Sequence, residues 1–232
     1  MVHRIRRRLI KFMYQPIRIF CFHQVSDSFD GSTMYEEDWL QNDEFKLIIG
    51  RLRKHGYTFL SMEEAYKRLK TDIFRHNKYA VLTADDGWAS IKNILPWLNE
   101  QRIPVTLFLT PAYFDGSHYR DRNTEKYLSE ADVKQLHARY PLLTVGSHGW
   151  KHVAATEQTD EEFENDIKAS VNELSRLPNY VPFFAYAWGK HNESTDKILR
   201  DNRLVQVNTE GGMNYNVCNP IDREILASDM LL

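Results

Sequence analysis

The chain has 232 residues, 42% of them hydrophobic and 27% charged, a length that fits a single α/β barrel and a composition that can fill a sizeable core. Lys and Arg number 30 against 32 Asp and Glu, and a formal net charge of -2 gives no electrostatic reason to expect nucleic acid as a partner. No uninterrupted apolar stretch approaches the roughly 20 residues that a membrane span requires.

Residues 1–18 form a basic N-terminal segment. Six of the basic residues and no acid lie between Val2 and Arg18, leaving 24 basic against 32 acidic residues in the rest. A secretory signal follows its basic start with about 7 to 15 apolar residues. Here Leu9, Ile10, Phe12 and Met13 are interrupted by Lys11 and soon meet Gln15 and Pro16. The expectation is a cytoplasmic chain with no signal peptide, its thiols at Cys21 and Cys218 reduced rather than paired. The segment suits peripheral contact with an anionic membrane surface or an acidic partner, and equally a solvated helix packed against the domain.

Residues 19–232 read as one domain of alternating elements. "IRIFCFHQV" is a buried strand, and "DEFKLIIGRLRKHGY" a helix with Phe45, Ile48, Ile49 and Leu52 on one face and Gly56 at its end. "TFL" is a short strand, and "SMEEAYKRLK" opens a helix with Ser61 and Glu64 at capping-box spacing. "KYAVLTA" is a strand, "WASIKNILPWLNEQ" a helix interrupted or kinked by Pro96, and "PVTLFLT" a strand. The long connection "PAYFDGSHYRDRNTEKYLSE" is a candidate cleft wall. "SEADVKQLHARY", "LLTVGSH", "TDEEFENDIKASVNELSRL", "PFFAYA", "ESTDKILRDNR" and "LVQVNT" continue the alternation of helix and strand. Such repeats imply parallel strands with right-handed crossovers, in a barrel or in an open doubly wound sheet.

The chemistry concentrates where strands end. "VLTADDGW" sets Asp85 and Asp86 side by side after an apolar run. Adjacent carboxylates repel, so the pair needs a cation, hydrogen bonds or a turn, and Asp-Asp-Gly is also ordinary turn chemistry. "LLTVGSHGWKHVAA" places His148 and His152 four residues apart, facing the same way on a helical turn or converging from a loop. One carboxylate with two imidazoles makes a facial metal site with open positions. If Asp86 is a ligand, Asp85 beside it remains an ionised base able to take a proton from a water acidified by the metal.

"TADDG" and "SHGWKH" resemble the first two motifs of the polysaccharide deacetylases, carbohydrate esterase family four, usually Thr-Phe-Asp-Asp-Gly and His-Ser/Thr-x-x-His. "FFAYAWGKHN" is similar to the third motif, normally Arg-x-Pro-Tyr/Trp-Gly. "CFHQVSD" and "LRKHGYTFLSMEEA" resemble segments of a subset, with a Tyr-His-x-Val-like opening, that acts on exported polymers of N-acetylglucosamine. The resemblance runs from about Ile19 to Asp229. It implies a bacterial-type distorted parallel (β/α) barrel of about seven strands. It also implies a divalent metal, typically zinc, held by Asp86, His148 and His152, with Asp85 as general base and His23 as general acid. No histidine follows His191, so the C-terminal Leu-x-His that supplies the acid in most of the family is absent. Trp188 and Tyr186, in the third-motif region, are the candidate substrate contacts, and a backbone N–H near Ala187 or Trp188 a candidate oxyanion donor.

The departures are specific. Ala84 replaces Phe and Gly149 replaces Ser or Thr, with no ligand lost; Ala185 and Ala187 stand where the third motif has its arginine and proline. The group that orients Asp85 is therefore unidentified. The implied activity is removal of N-acetyl groups from amino sugars in a polysaccharide, an oligosaccharide or a lipid-linked glycan. Two alternatives stand beside it: a carbohydrate-binding relative that has lost catalysis, and a hydrolase of cyclic imides or other non-peptide amides.

Overall fold

A computed structural model describes residues 15–28, 39–72, 75–114, 127–217 and 220–227. The first fourteen residues of the basic segment, most of the connection expected to wall the cleft, and Cys218 lie outside these.

The main sheet takes its strands from apolar runs rich in β-branched and aromatic residues: β1 (Ile17–Phe22), β5 (Lys78–Ala84), β6 (Val105–Leu109), β7 (Leu143–Ser147), β8 (Tyr180–Ala185) and β9 (Val205–Val207). A last short strand, β10 (Glu224–Ile225), completes the order β10-β1-β5-β6-β7-β8-β9, every pairing parallel, with β4 (Tyr57–Phe59) beside β5. A parallel bridge from Val207 to Ile221, with the Asn208 N–H donating to the Ile221 carbonyl, joins β9 to the segment that leads into β10. The sheet thereby curls back on itself, a distorted barrel rather than an open sheet. Two short strands, β2 (Gln24–Ser26) and β3 (Trp39–Gln41), pair separately, and the run expected to continue from β1 breaks at His23.

Among the described residues six helices cross between strands: α1 (Asn42–Lys54), α2 (Met62–Thr71), α3 (Ile91–Glu100), α4 (Glu130–Arg139), α5 (Asp160–Leu174) and α6 (Glu193–Asp201). Reciprocal capping boxes start α4, α5 and α6, at Ser129/Asp132, Thr159/Glu162 and Asn192/Thr195. At α2 only half of the expected box forms: Ser61 accepts the Glu64 N–H, while the Glu64 carboxylate pairs with Arg68 at 2.9 Å. Pro96 does not interrupt α3, and it sits on the exposed side of the helix. No helix among the described residues is long and apolar enough to cross a membrane.

Alternation along the strands sorts side chains into an outer layer and the barrel interior. Phe20, Phe22, Leu82, Ala84, Leu107 and Val145 pack outward with residues of α1, α3 and α4. Ile19, Val81, Phe108, Phe183, Val207 and Ile221 pack inward, with Met62, Ala65 and Leu69 of α2 against them. Gly146 makes room for this filling, since a Cβ there would lie 2.7 Å from the Phe108 ring and 2.8 Å from the Phe183 carbonyl. Gly146→Ala is therefore expected to destabilise the fold by about 1–3 kcal/mol or more, through a displaced ring or strand. A denaturant midpoint equal to that of the parent chain would show that the interior yields.

Candidate active site

Thr83 and Asp85 carry the inward alternation to the end of β5, and there the regular strand stops. The Asp85 N–H donates to the Phe22 carbonyl (3.1 Å), after which Asp86 (φ 67°) and Gly87 (φ 83°) turn the chain through left-handed backbone. Gly87 is required twice over: its φ disfavours a side chain, and a Cβ would approach Leu109 to 2.9 Å. This turn is what makes neighbouring aspartates point to different work. Asp85 remains in the interior at 3% exposure, whereas Asp86 swings into the mouth, where buried Trp88 donates its indole N–H to Asp86 Oδ2 at 3.2 Å.

His148 and His152 meet Asp86 from the loop after β7. The loop is not helical; His152 itself adopts φ 57°, and the two rings lie 4.9 Å apart. His148 Nε2 stands 3.4 Å and His152 Nε2 3.1 Å from Asp86 Oδ1. His148 Nδ1 faces the Ala185 carbonyl at 2.8 Å, an acceptor only, so that nitrogen carries a proton and Nε2 is the ring atom turned toward Asp86. Helix α5 holds the loop from behind. Asp166 accepts the Trp150 N–H at 2.7 Å, and Ser147 bonds both Ser170 (2.7 Å) and the Gly149 N–H (3.2 Å). Gly149 has φ 82°, and a Cβ on it would come within 2.8 Å of Asp166 Oδ2, which explains why no serine or threonine stands there.

The orienting group missing from the third motif comes from the other end of the chain. Arg223 is fully buried, and Nη1 and Nη2 grip Asp85 Oδ1 and Oδ2 at 2.6 and 2.7 Å. Its Nη1 also reaches Thr83 Oγ1 (3.1 Å), its Nε donates to the Asn208 carbonyl (3.0 Å), and its guanidinium lies 5.1 Å from the centre of the Phe108 ring. Burial pushes the Asp85 carboxyl up, but Arg223, His148 and His23 together outweigh it and hold it at about 2. The stabilisation this represents is present above the ordinary carboxylate range and is lost as pH falls toward that value. Burial likewise pushes Asp86 up, and the two imidazoles hold it well below the usual range. No local motif announced Arg223; the absence of an arginine at Ala185 was the one sign that a cation had to arrive from elsewhere.

His23 follows β1 beside the end of β5 and is half-buried, close enough for its charge to lower both aspartates. Trp188 is 51% exposed and held at φ 61°, its ring 5.1 Å from that of His152. Tyr186 is placed otherwise: at 1% exposure it faces the outer layer with Phe163 and Phe184, and its hydroxyl donates to Asp196 at 2.7 Å. It braces the loop from behind and offers no surface at the mouth. The turn Ala187–Gly189 makes its first internal bond from the Gly189 N–H to the Tyr186 carbonyl, so the N–H groups of Ala187 and Trp188 precede that bond. Positive φ at the non-glycine residues Asp86, His152 and Trp188 costs on the order of 1–3 kcal/mol each, strain that surrounding contacts must hold in place.

Among known proteins, the signature of the polysaccharide deacetylase domain matches residues 74–207. No curated protein sequence matches the chain. Among solved structures, the chain is similar to the deacetylase PplD of Streptococcus pyogenes in complex with acetate (TM-score 0.77, 19% identity, 93% of this chain and 94% of that one). It is similar to IcaB from Ammonifex degensii (TM-score 0.76, 22% identity, 94% and 95%). It also resembles a de-N-acetylase from Aggregatibacter actinomycetemcomitans (TM-score 0.76, 14% identity, 93% and 96%). At these identities the structures speak for the fold alone, while the domain signature spans more than half of the sequence and both of its strand-end motifs. The chain belongs to the polysaccharide deacetylase family.

Proposed function

We propose that the chain is a divalent-metal-dependent hydrolase that removes N-acetyl groups from amino sugars in a polysaccharide, oligosaccharide or lipid-linked glycan. One observation carries this reading. Asp86 Oδ1 is buried and makes no hydrogen bond, yet two imidazole Nε2 atoms face it, the three ligand atoms lying within 4.8 Å of one another. A carboxylate and two imidazoles that converge without bonding each other fit a resident dication, with zinc the expected ion. Such an ion, when bound, supplies positive charge that acidifies water and polarises an acyl oxygen.

The chain's own residues supply the rest. Asp85, kept ionised and fixed in orientation by Arg223, takes a proton from the attacking water as its oxygen bonds the acetamido carbon. His23 gives a proton to the nitrogen as the C–N bond breaks, so acetate and a free amino sugar leave. The N–H groups of Ala187 and Trp188 are candidate donors to the developing oxyanion, and the exposed Trp188 indole is a surface on which a sugar face stacks. The reading as a binding relative without catalysis drew on the missing third-motif arginine and on the absent C-terminal histidine; Arg223 answers the first, and the answer to the second rests on the proposed role of His23 as acid.

Metal content and acetate release from N-acetylglucosamine oligomers, measured on chelator-stripped and zinc-restored protein, test the proposal. Asp86→Ala and His148→Ala are expected to lose the ion and the activity together. Asp85→Asn and His23→Ala are expected to keep the ion and to lose roughly 100-fold or more in kcat. Acetate release by Asp85→Asn at the parent rate would overturn the assignment of the base.

Arg223 is predicted to act as a positioning residue, with a signature in pH dependence. Without the guanidinium, the upward push of burial on Asp85 loses its main opponent, so the pKa rises and the acid limb of kcat/KM moves to higher pH in Arg223→Gln. Loss of a buried partner also costs about 3–5 kcal/mol, so Arg223→Lys, which keeps the charge, serves as the better-folding companion. An unshifted acid limb in a folded Arg223→Gln protein would assign the residue to stability alone.

A further inference from the structure

A second set of donors lies beside the triad. Cys21 and His23 are two residues apart at the end of β1 and so share a face, and the β1–β5 register, Cys21 opposite Thr83 and Phe22 opposite Ala84, brings that face to Asp85. One donor atom from each of Cys21, His23 and Asp85 lies within 4.8 Å of the other two. Thiol, imidazole and carboxylate together are a donor set for a borderline or soft dication such as zinc or cadmium, and a poor one for magnesium or calcium.

We propose that Cys21, His23 and Asp85 form a second, weaker site for a soft divalent cation, and that filling it inhibits hydrolysis. The ranking follows from charge. Asp85 already shares its charge with Arg223 through both oxygens. Each oxygen keeps a lone pair for a further ligand, but the guanidinium repels a dication bound across the same carboxylate. Asp86 feels the same guanidinium only at longer range: among the described residues its carboxylate faces His148 and His152, and no arginine or lysine pairs with it. The first ion therefore fills the Asp86 triad and the second binds only in excess, displacing the Cys21 proton to solvent. Binding at the second site is independent of the catalytic reading; its inhibitory consequence rests on Asp85 and His23 being base and acid, both of which the second ion would occupy.

The test titrates metal-free full-length chain with cadmium, following ions bound per chain, the cadmium–thiolate charge-transfer band and, in parallel with zinc, the hydrolysis rate. Two ions per chain are expected, with the thiolate band appearing only with the second and the rate falling as it binds. Cys21→Ser is expected to bind one ion without the band and to raise the inhibitory zinc concentration at least tenfold, whereas Cys218→Ser, the control for the other thiol, keeps both. One ion in the parent chain and in Cys21→Ser alike would overturn the second site and leave the first standing. A single ion that Cys21→Ser abolishes would overturn both readings. Should Cys21→Ser not fold, the parent titration still decides: a band with the first ion, or none at all, defeats the proposal.

Discussion

The ion pair between Asp85 and Arg223 is the contact on which the site depends. A carboxylate at 3% exposure cannot remain ionised in a protein interior without a partner, and a bidentate guanidinium satisfies both of its oxygens at once. The pair also spans the molecule. Asp85 ends the central strand β5, Arg223 stands in the segment that joins the last strand to the first, and the two lie 138 residues apart in sequence. Closing the barrel and orienting Asp85 are thus one event, and Phe108 beneath the guanidinium, accommodated by Gly146, ties both to the packing of the interior.

The remainder of the mouth follows from where regular alternation fails. A strand sends successive side chains to opposite faces, so Asp85 and Asp86 would diverge, one inward and one into the outer layer. Left-handed backbone at Asp86 and Gly87 redirects the second carboxylate to the mouth; His152 and Trp188 are redirected in the same way after β7 and β8. Three strained positions around one opening are costly, and each is held from outside: Trp88 fixes Asp86, Asp166 holds the loop that carries His152, and Tyr186 braces the turn that carries Trp188.

The helices and the longer strands were legible in the sequence because each is long enough to show its period, whereas the three-residue β2 and β3 were not separated from their surroundings. "KYAVLTA" coincides with β5, and "SEADVKQLHARY" and "TDEEFENDIKASVNELSRL" open on Ser129 and Thr159, the cap residues of α4 and α5. The motif residues were legible because "TADDG" and "SHGWKH" match a family's motifs in order and spacing, not because such residues are unusual where strands end. What could not be read was set by distance. β10 has two residues and no periodic signal, so the closing segment and its arginine left no local trace. Tyr186 was misdirected for a related reason: sequence proximity to Trp188 suggested a shared role, while β8 sends its side chain out with Phe184 and the following turn sends Trp188 to the mouth.

The relocation of the arginine follows from the geometry of a barrel. The buried Asp85 carboxylate requires a cation on the interior surface within reach of the end of β5, and any strand that lines that surface can deliver one. Ala185 and Ile221 pack in the same interior cluster, and Arg223 continues the inward alternation two residues beyond Ile221. A long side chain at 185 and another at 223 would compete for one volume and one carboxylate. Alanine at 185 brings no side chain to compete for Asp85, and the backbone there has a use of its own, its carbonyl fixing the His148 ring. One small residue thus leaves Asp85 to Arg223 and holds the His148 ring by its backbone oxygen.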